Sequence, residues 1–411
     1  MTPLPDASND PHRMRHADAA LLARSLAQGR QQLLGLFGAY EQALGDASMR
    51  VPVHEQLNLP LWELGHIGWF EEYWLARFAA RATGAAADPD MPRSASLRAD
   101  ADALYDSSQV PHGTRWQLAL PSTEDTRRYL HQVRQKTLEL LHQGGADDDA
   151  LYFFRLVLFH EDMHREAWTY SAQHLGIALD GAIDALAPAP VAAAGEWGLP
   201  KRSDTIGSGD RGFAFDNERR PHMVELGECT IDRACVSWQR YLPFVDCGAD
   251  TDPRWWSAAG WQWKQQQADT PRYLRRQAGQ WQRRQFHRWL ALDPAQPAMH
   301  LSFHEAEAWC RWAGRRLPSE LEWESAARRA AEQGEAFEWG QVWEWTASRF
   351  EPYAGFVAHP YRDYSLPWFD GRPVLRGASF ATAARMKHPA YRNFFGADRN
   401  NIFAGFRSCA A

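Results

Sequence analysis

Apolar residues recur every three or four positions through most of the first 176 residues, the spacing that lines one face of an α-helix. Four stretches keep this pattern long enough for a bundle helix: Leu21 to Leu44, Pro60 to Ala80, Ser122 to His142 and Asp148 to Leu175. Start signals support three of them: Pro60 after Asn58 and Leu59, Ser122 after Pro121, and the run Asp147, Asp148, Asp149. Proline suits a first helical turn, and short polar side chains cap the free N–H groups. Four such helices predict a bundle. The connection from Arg81 to Pro121 is long for one, and because long ordered connections are often functional, Tyr105, Asp106, His112, Arg115 and Trp116 are candidates for lining a site.

The texture changes between Gly176 and Pro200, where Ala, Pro and Gly dominate, as in APAPVAAAG. This divides the chain into a helical domain (1–176), a linker (177–200) and a second domain (201–411). Beyond the linker, short segments are punctuated by Gly and Pro, and only Ser302 to Trp312 and Glu320 to Ala331 read as helices. The expected class is α+β, a helical bundle followed by a mixed, loop-rich domain.

Composition narrows the function classes. The 411 residues fit two domains, and 45% apolar with 23% charged residues is a globular balance. A net charge of -6 without a Lys/Arg block argues against nucleic acid. Met1 to Ala20 is polar, and no uninterrupted apolar run of about 18 residues follows, so a cytoplasmic protein without a membrane partner is expected, as a monomer or small homo-oligomer. Five scattered cysteines without a Cys-x-x-Cys pair exclude a disulfide framework or structural zinc site and are expected to be buried thiols. Twenty tryptophans and twelve tyrosines will mostly serve the core, although aromatic faces also bind quaternary ammonium groups.

The string His160-Glu-Asp-Met-His164 carries the chemistry. Residues i and i+4 share a helix face, about 5–6 Å apart at Cβ, so both imidazoles can reach one cation. A third ligand must come from another helix, and His66 in PLWELGHIGWFEEYW, surrounded by Trp62, Trp69 and Phe70, is the natural candidate. His54, His112, His174 and His300 lack such company and are expected to be ordinary packed or surface residues. The same string satisfies His-Glu-x-x-His, the pattern of zinc hydrolases with Glu161 as general base. The metzincin extension is absent after His164, however, and no Glu lies between Ala167 and Gly195 to supply a downstream ligand. Three neutral imidazoles leave an octahedral ion three open positions, which suits redox chemistry at iron; zinc is redox-silent. A helical module that only binds is the third, non-enzymatic reading.

These residues resemble the ergothioneine-type sulfoxide synthases, which join a DinB-like four-helix bundle to a domain of the formylglycine-generating, C-type-lectin-like fold. The resemblance spans nearly the whole chain and is dense in the second half: Leu301-Ser-Phe-His-Glu-Ala, Ala313-Gly-Arg-Arg-Leu-Pro-Ser-Glu-Leu-Glu-Trp-Glu, Val342-Trp-Glu-Trp-Thr-Ala-Ser, Val374-Leu-Arg-Gly-Ala-Ser-Phe and Gly405-Phe-Arg. Formylglycine generation itself is not expected, because its paired copper-binding cysteines are missing from Lys387 to Phe403 and Cys409 stands alone.

The resemblance implies Fe(II) at His66, His160 and His164, O2 as co-substrate, and oxidation of hercynine, the trimethylated betaine of histidine, at its imidazole C2. It also implies a proton donor at Tyr361 or Tyr364, hercynine contacts at Asn393 with Phe394 beside it, and a carboxylate contact at Arg399, with Arg115 a further match. Members that use gamma-glutamylcysteine carry Gln and Asp where this chain has Met163 and Phe395. Together with Asn58-Leu-Pro-Leu-Trp-Glu-Leu-Gly-His, Phe159-His-Glu-Asp-Met-His and Asp106-Ser-Ser-Gln-Val-Pro-His, these departures look more like selenoneine synthase, which joins hercynine to a selenosugar and gives a selenoxide. The alternative donor is a cysteine or gamma-glutamylcysteine thiol.

Overall fold

The computed structural model describes residues 7–45, 49–268 and 271–411; the first six residues of the polar start read above lie outside them. The N-terminal half is helical: α1 (Pro11–Arg15), α2 (Ala19–Leu44), α3 (Pro60–Trp74), α4 (Ala101–Tyr105), α5 (Thr123–Gln143) and α6 (Asp148–Leu175). The long helices begin where caps dictate. Asp18, Ser122 and Asp147 each accept a backbone N–H three residues ahead, satisfying a donor the first turn leaves unpaired. Helix α6 stops at Gly176, whose φ of 74° no β-branched residue would adopt cheaply. α2 and α3 pack against both α5 and α6, forming the bundle.

One helix is shorter than its periodicity predicts. The expected Pro60 to Ala80 helix ends at Trp74, because the N–H of Arg77 turns back to the carbonyl of Glu72 and its guanidinium reaches sideways to Asp102, at 2.7 Å. A tertiary ion pair thus overrides a local pattern. The connection that follows carries α4 across the top of α3. Trp62 donates its indole N–H to the Leu104 carbonyl at 2.6 Å, and the Tyr105 ring lies where a Cβ on Gly65 would be, 2.3 Å from the ring carbons.

The second half contains α7 (Trp238–Asp246), α8 (Ala258–Lys264), α9 (Phe303–Trp312) and α10 (Glu320–Gln333). The first two were hidden in the sequence by their shortness and by Pro243. Thirteen short strands are described. β1 (Glu196–Leu199), β2 (Arg202–Ile206), β3 (His222–Leu226), β4 (Cys229–Asp232), β5 (Leu274–Gln277), β6 (Gln280–Gln285) and β7 (Arg288–Ala291) precede α9. β8 (Arg315–Arg316), β9 (Trp343–Arg349), β10 (Pro373–Arg376), β11 (Asn393–Phe394), β12 (Ala404–Gly405) and β13 (Cys409–Ala410) follow it. They form sheets in the orders β1-β4-β13-β8 and β11-β10-β9-β12, a β2-β3 hairpin and a β5-β6-β7 ribbon. The architecture is α+β, helical first and sheet- and loop-rich second. Among the described residues no helix is long and apolar enough to cross a membrane. Four cysteines are buried; Cys247 is exposed, against expectation, near the C-terminal end of α7.

One apolar core runs through both halves, taking in Trp62, Trp168, Phe215, Trp343 and Tyr391. The polar seam between the halves is carried by α6. Asp162 pairs with Arg385 at 2.6 Å, and one turn on, Glu166 accepts from Trp343, Ser379 and Thr382 at 2.5–2.8 Å. Asp162 and Glu166, at i and i+4 on α6, therefore lock the second half onto the bundle.

Candidate metal centre

His66 of α3 and His160 and His164 of α6 converge. Each offers a ring nitrogen, and these atoms lie within 4.8 Å of one another. The Nε2 atoms of His160 and His164 are 3.2 Å apart, and the His66 ring centroid is 5.3 and 5.1 Å from theirs. Two of the three imidazoles are oriented from behind. His66 sets Nδ1 against the Tyr105 carbonyl at 2.8 Å, and His164 sets Nδ1 against Glu63 Oε1 at 2.5 Å. With Nδ1 engaged as donor, the Nε2 lone pair is left for the shared centre.

Packing and electrostatics keep the donors available. Trp62 stacks on His66, with ring centroids 5.1 Å apart and planes 8° from parallel. Phe70 stacks on His160 at 3.5 Å. Burial, with the charge of His164 adding to it, lowers the pKa of His66 to about 3 and pushes His160 well below the usual imidazole range. Such rings stay neutral at physiological pH, the form that ligates a cation. Three convergent imidazole nitrogens, two on buried rings and one on the half-buried His164, with two oriented tautomers, fit a divalent transition-metal ion that keeps open positions.

Glu161, the base of the hydrolase reading, faces the other way. It is 2% exposed and lies in the bundle core between Arg30 and Arg134, at 3.0 and 2.7 Å, with Glu71 closing the quartet at 2.7 Å from each arginine. A carboxylate held by two buried guanidinium groups cannot leave without stranding buried charge. The hydrolase reading fails on this geometry.

The two tyrosines separate. Tyr361 meets Phe70 edge-on at 4.8 Å and lies 6.2 Å from the His160 ring. Tyr364 stacks on Phe215 at 4.2 Å and shares a hydrogen bond with Tyr391. Burial raises both phenols, so both hold their protons. Their loop is pinned at both ends by Asp216, which accepts from the His359 N–H at 3.3 Å and from the Ser365 hydroxyl.

Arg115 lies over Trp62 at 3.8 Å and donates to Asn58 at 2.7 Å, next to the histidines. Met163 is half-buried against the core on α6. Asn393 accepts from the Phe394 N–H, and Phe394 stacks on Phe350 at 4.0 Å, inside the second half. Arg399 lies 5.1 Å from Phe395 and donates to Asn401 at 2.8 Å. His112 and Trp116 hold the long connection down through the Leu57 and Val51 carbonyls. A cleft lined by Arg165, Asp184, Arg385 and Lys387 opens elsewhere and includes none of these candidates.

Sequence reasoning missed Glu63 and the Tyr105 carbonyl. Glu63 was findable as a buried carboxylate one turn before His66 in an otherwise apolar segment. The carbonyl was not.

The sulfatase-modifying factor enzyme 1-like domain family matches residues 202–341 and 339–411. Hercynine oxygenase of Mycolicibacterium thermoresistibile is 32% identical, over 97% of this chain and 95% of its own. That of Mycolicibacterium smegmatis is 31% identical, over 94% and 97%. The formylglycine-generating enzyme of Streptomyces coelicolor is 31% identical over 38% of this chain and 57% of its own.

Proposed function

The chain belongs to the family of the hercynine oxygenases, and on that footing we propose that it is an O2-dependent oxidoreductase that binds Fe(II) through His66, His160 and His164 and joins the imidazole C2 of hercynine to the selenium of a selenosugar. The convergence of the three imidazole nitrogens, two of them tautomerically fixed, carries this reading. Iron held by these residues would supply redox chemistry and open coordination positions for O2 and substrate donor atoms.

The chain's own residues supply the rest. Glu63 and the Tyr105 carbonyl orient the ligands. Phe70 and Trp62 keep water from the ring faces and offer aromatic surface, on which a trimethylammonium group gains about 0.5–2 kcal/mol. Tyr361 retains its proton at Oη and is the nearer of the two phenols to the cluster, so it is the residue placed to deliver a proton to the reacting oxygen. Arg115 and Arg399 are available to a substrate carboxylate.

Apolar Met163 and Phe395 favour the selenosugar over an amino-acid thiol, because neither side chain can pair with an ammonium or carboxylate group. The test is to reconstitute the protein with Fe(II) anaerobically, add hercynine with selenoglucose or with cysteine or gamma-glutamylcysteine, admit O2, and follow both adducts by mass spectrometry. Faster formation of the selenium adduct is expected. Faster thiol turnover would reassign the donor, and no O2 uptake with any donor would overturn the proposal.

A further inference from the structure

Away from the histidine cluster, where the β5-β6-β7 ribbon meets the C-terminal end of α6, a small cavity is lined by Trp238, Arg272, Tyr273, Arg283, Arg284 and His300. His174, at this end of α6, is ten residues beyond His164, about 15 Å along the helix axis. The cavity is therefore separate from the metal centre.

Two features of it are unusual. The first is charge. Arg272 donates to Asn400 and to Nδ1 of His174, Arg283 to Gln285, and Arg284 to the carbonyls of Gln173 and His174. All these partners are neutral. Among the described residues none of the three guanidinium groups has a carboxylate at ion-pair distance; Asp293 acts on Arg283 only from farther away. The dipole at the end of α6 offsets about half a charge.

The second is unmet hydrogen bonding. His300 is 4% exposed; among the described residues the Ile402 backbone is the one hydrogen-bond partner of its ring, which leaves a ring nitrogen unmet. The Tyr273 hydroxyl and the Nε atoms of Arg283 and Arg284 are equally unpartnered. Arg272 and Arg284 lie 5.0 and 4.6 Å from the Tyr273 ring, whose other neighbour is His300 at 4.7 Å. Tyr273 and His300 both hold positive φ, 62° and 64°, a conformation that costs a non-glycine residue free energy and persists only where the surroundings fix it.

We propose that this cavity binds a monoatomic anion, chloride under ordinary conditions, which ties the ribbon to the end of the helix that carries His160 and His164. Its small size favours a monoatomic anion over phosphate or sulfate. A water molecule could satisfy Tyr273 and His300 but, among the described residues, would leave the three half-buried guanidinium groups without an anionic partner. An anion answers both.

Crystals grown or soaked in bromide and measured at the bromine absorption edge should show one anomalous peak among Arg283, Arg284 and Tyr273. In solution at matched ionic strength, chloride and bromide should raise the unfolding midpoint saturably, by roughly 2–4 °C at ten times the dissociation constant, whereas sulfate and gluconate should not. Arg283→Met should abolish the rise. Tyr273→Phe, a milder change if the first variant folds poorly, should weaken halide binding several-fold. An ordered water without anomalous signal, or equal stabilisation by all four anions that survives both substitutions, would overturn the proposal.

Discussion

Glu63→Gln and Glu63→Ala isolate the contribution of the residue behind the metal ligands. Glu63 is 3% exposed and accepts from His164 Nδ1 at 2.5 Å. A buried hydrogen bond with one charged partner contributes roughly 1.5–3 kcal/mol. Converted at about 1.4 kcal/mol per decade, this is a ten- to hundredfold change in metal affinity, the range seen when such outer partners are lost. The amide keeps an acceptor oxygen without the charge, so Gln should fall near tenfold and Ala near a hundredfold. Anaerobic competition between the protein and a chelator for Fe(II) measures the dissociation constant directly. Glu72→Gln serves as control. Glu72 is 1% exposed on the same helix but binds Ser96, the Leu97 N–H and Tyr129, so its loss should lower the unfolding midpoint and leave metal affinity unchanged. If both Glu63 variants bind Fe(II) within threefold of the parent, the carboxylate does not orient His164 and the reasoning fails.

Tyr361→Phe should reduce O2-dependent product formation by about 10²–10⁴-fold with little change in metal affinity, while Tyr364→Phe should act mainly on stability through its lost bond to Tyr391; equal kinetic loss in both would remove the distinction. Glu161→Gln breaks a buried ion-pair quartet and should cost about 3–5 kcal/mol in chemical denaturation, with metal content retained. Gly65→Ala must displace the Tyr105 ring, so the carbonyl behind His66 should shift and both stability and Fe(II) affinity fall, read by the same two assays. Asp216 is buried, and desolvation raises its pKa to about 6 from 3.8. A carboxyl raised in the folded state contributes stability present below the unfolded value and lost as pH rises through about 6. The stability of the parent relative to Asp216→Asn should therefore fall between pH 4 and 6, by on the order of 3 kcal/mol; a rise over that window would contradict the assigned burial.

What the chain's sequence determines unaided is whatever a single element fixes. Helical geometry places His160 and His164 on one face, so their shared reach needs no tertiary information. The caps at Asp18, Ser122 and Asp147 and the apolar periodicity of α2, α5 and α6 are equally local. The tertiary structure decided everything that depends on which buried group finds which partner. The Glu63–His164 bond spans 101 residues and the Tyr105 support of His66 spans 39. Arg77 ends α3 early because Asp102 arrives from a connection with no regular pattern. Tyr361 rather than Tyr364 meets the histidines because Asp216 fixes a loop whose course no periodicity encodes. Buried polar groups must be paired wherever the fold brings them, and that pairing is a property of the packed chain, not of any segment of it.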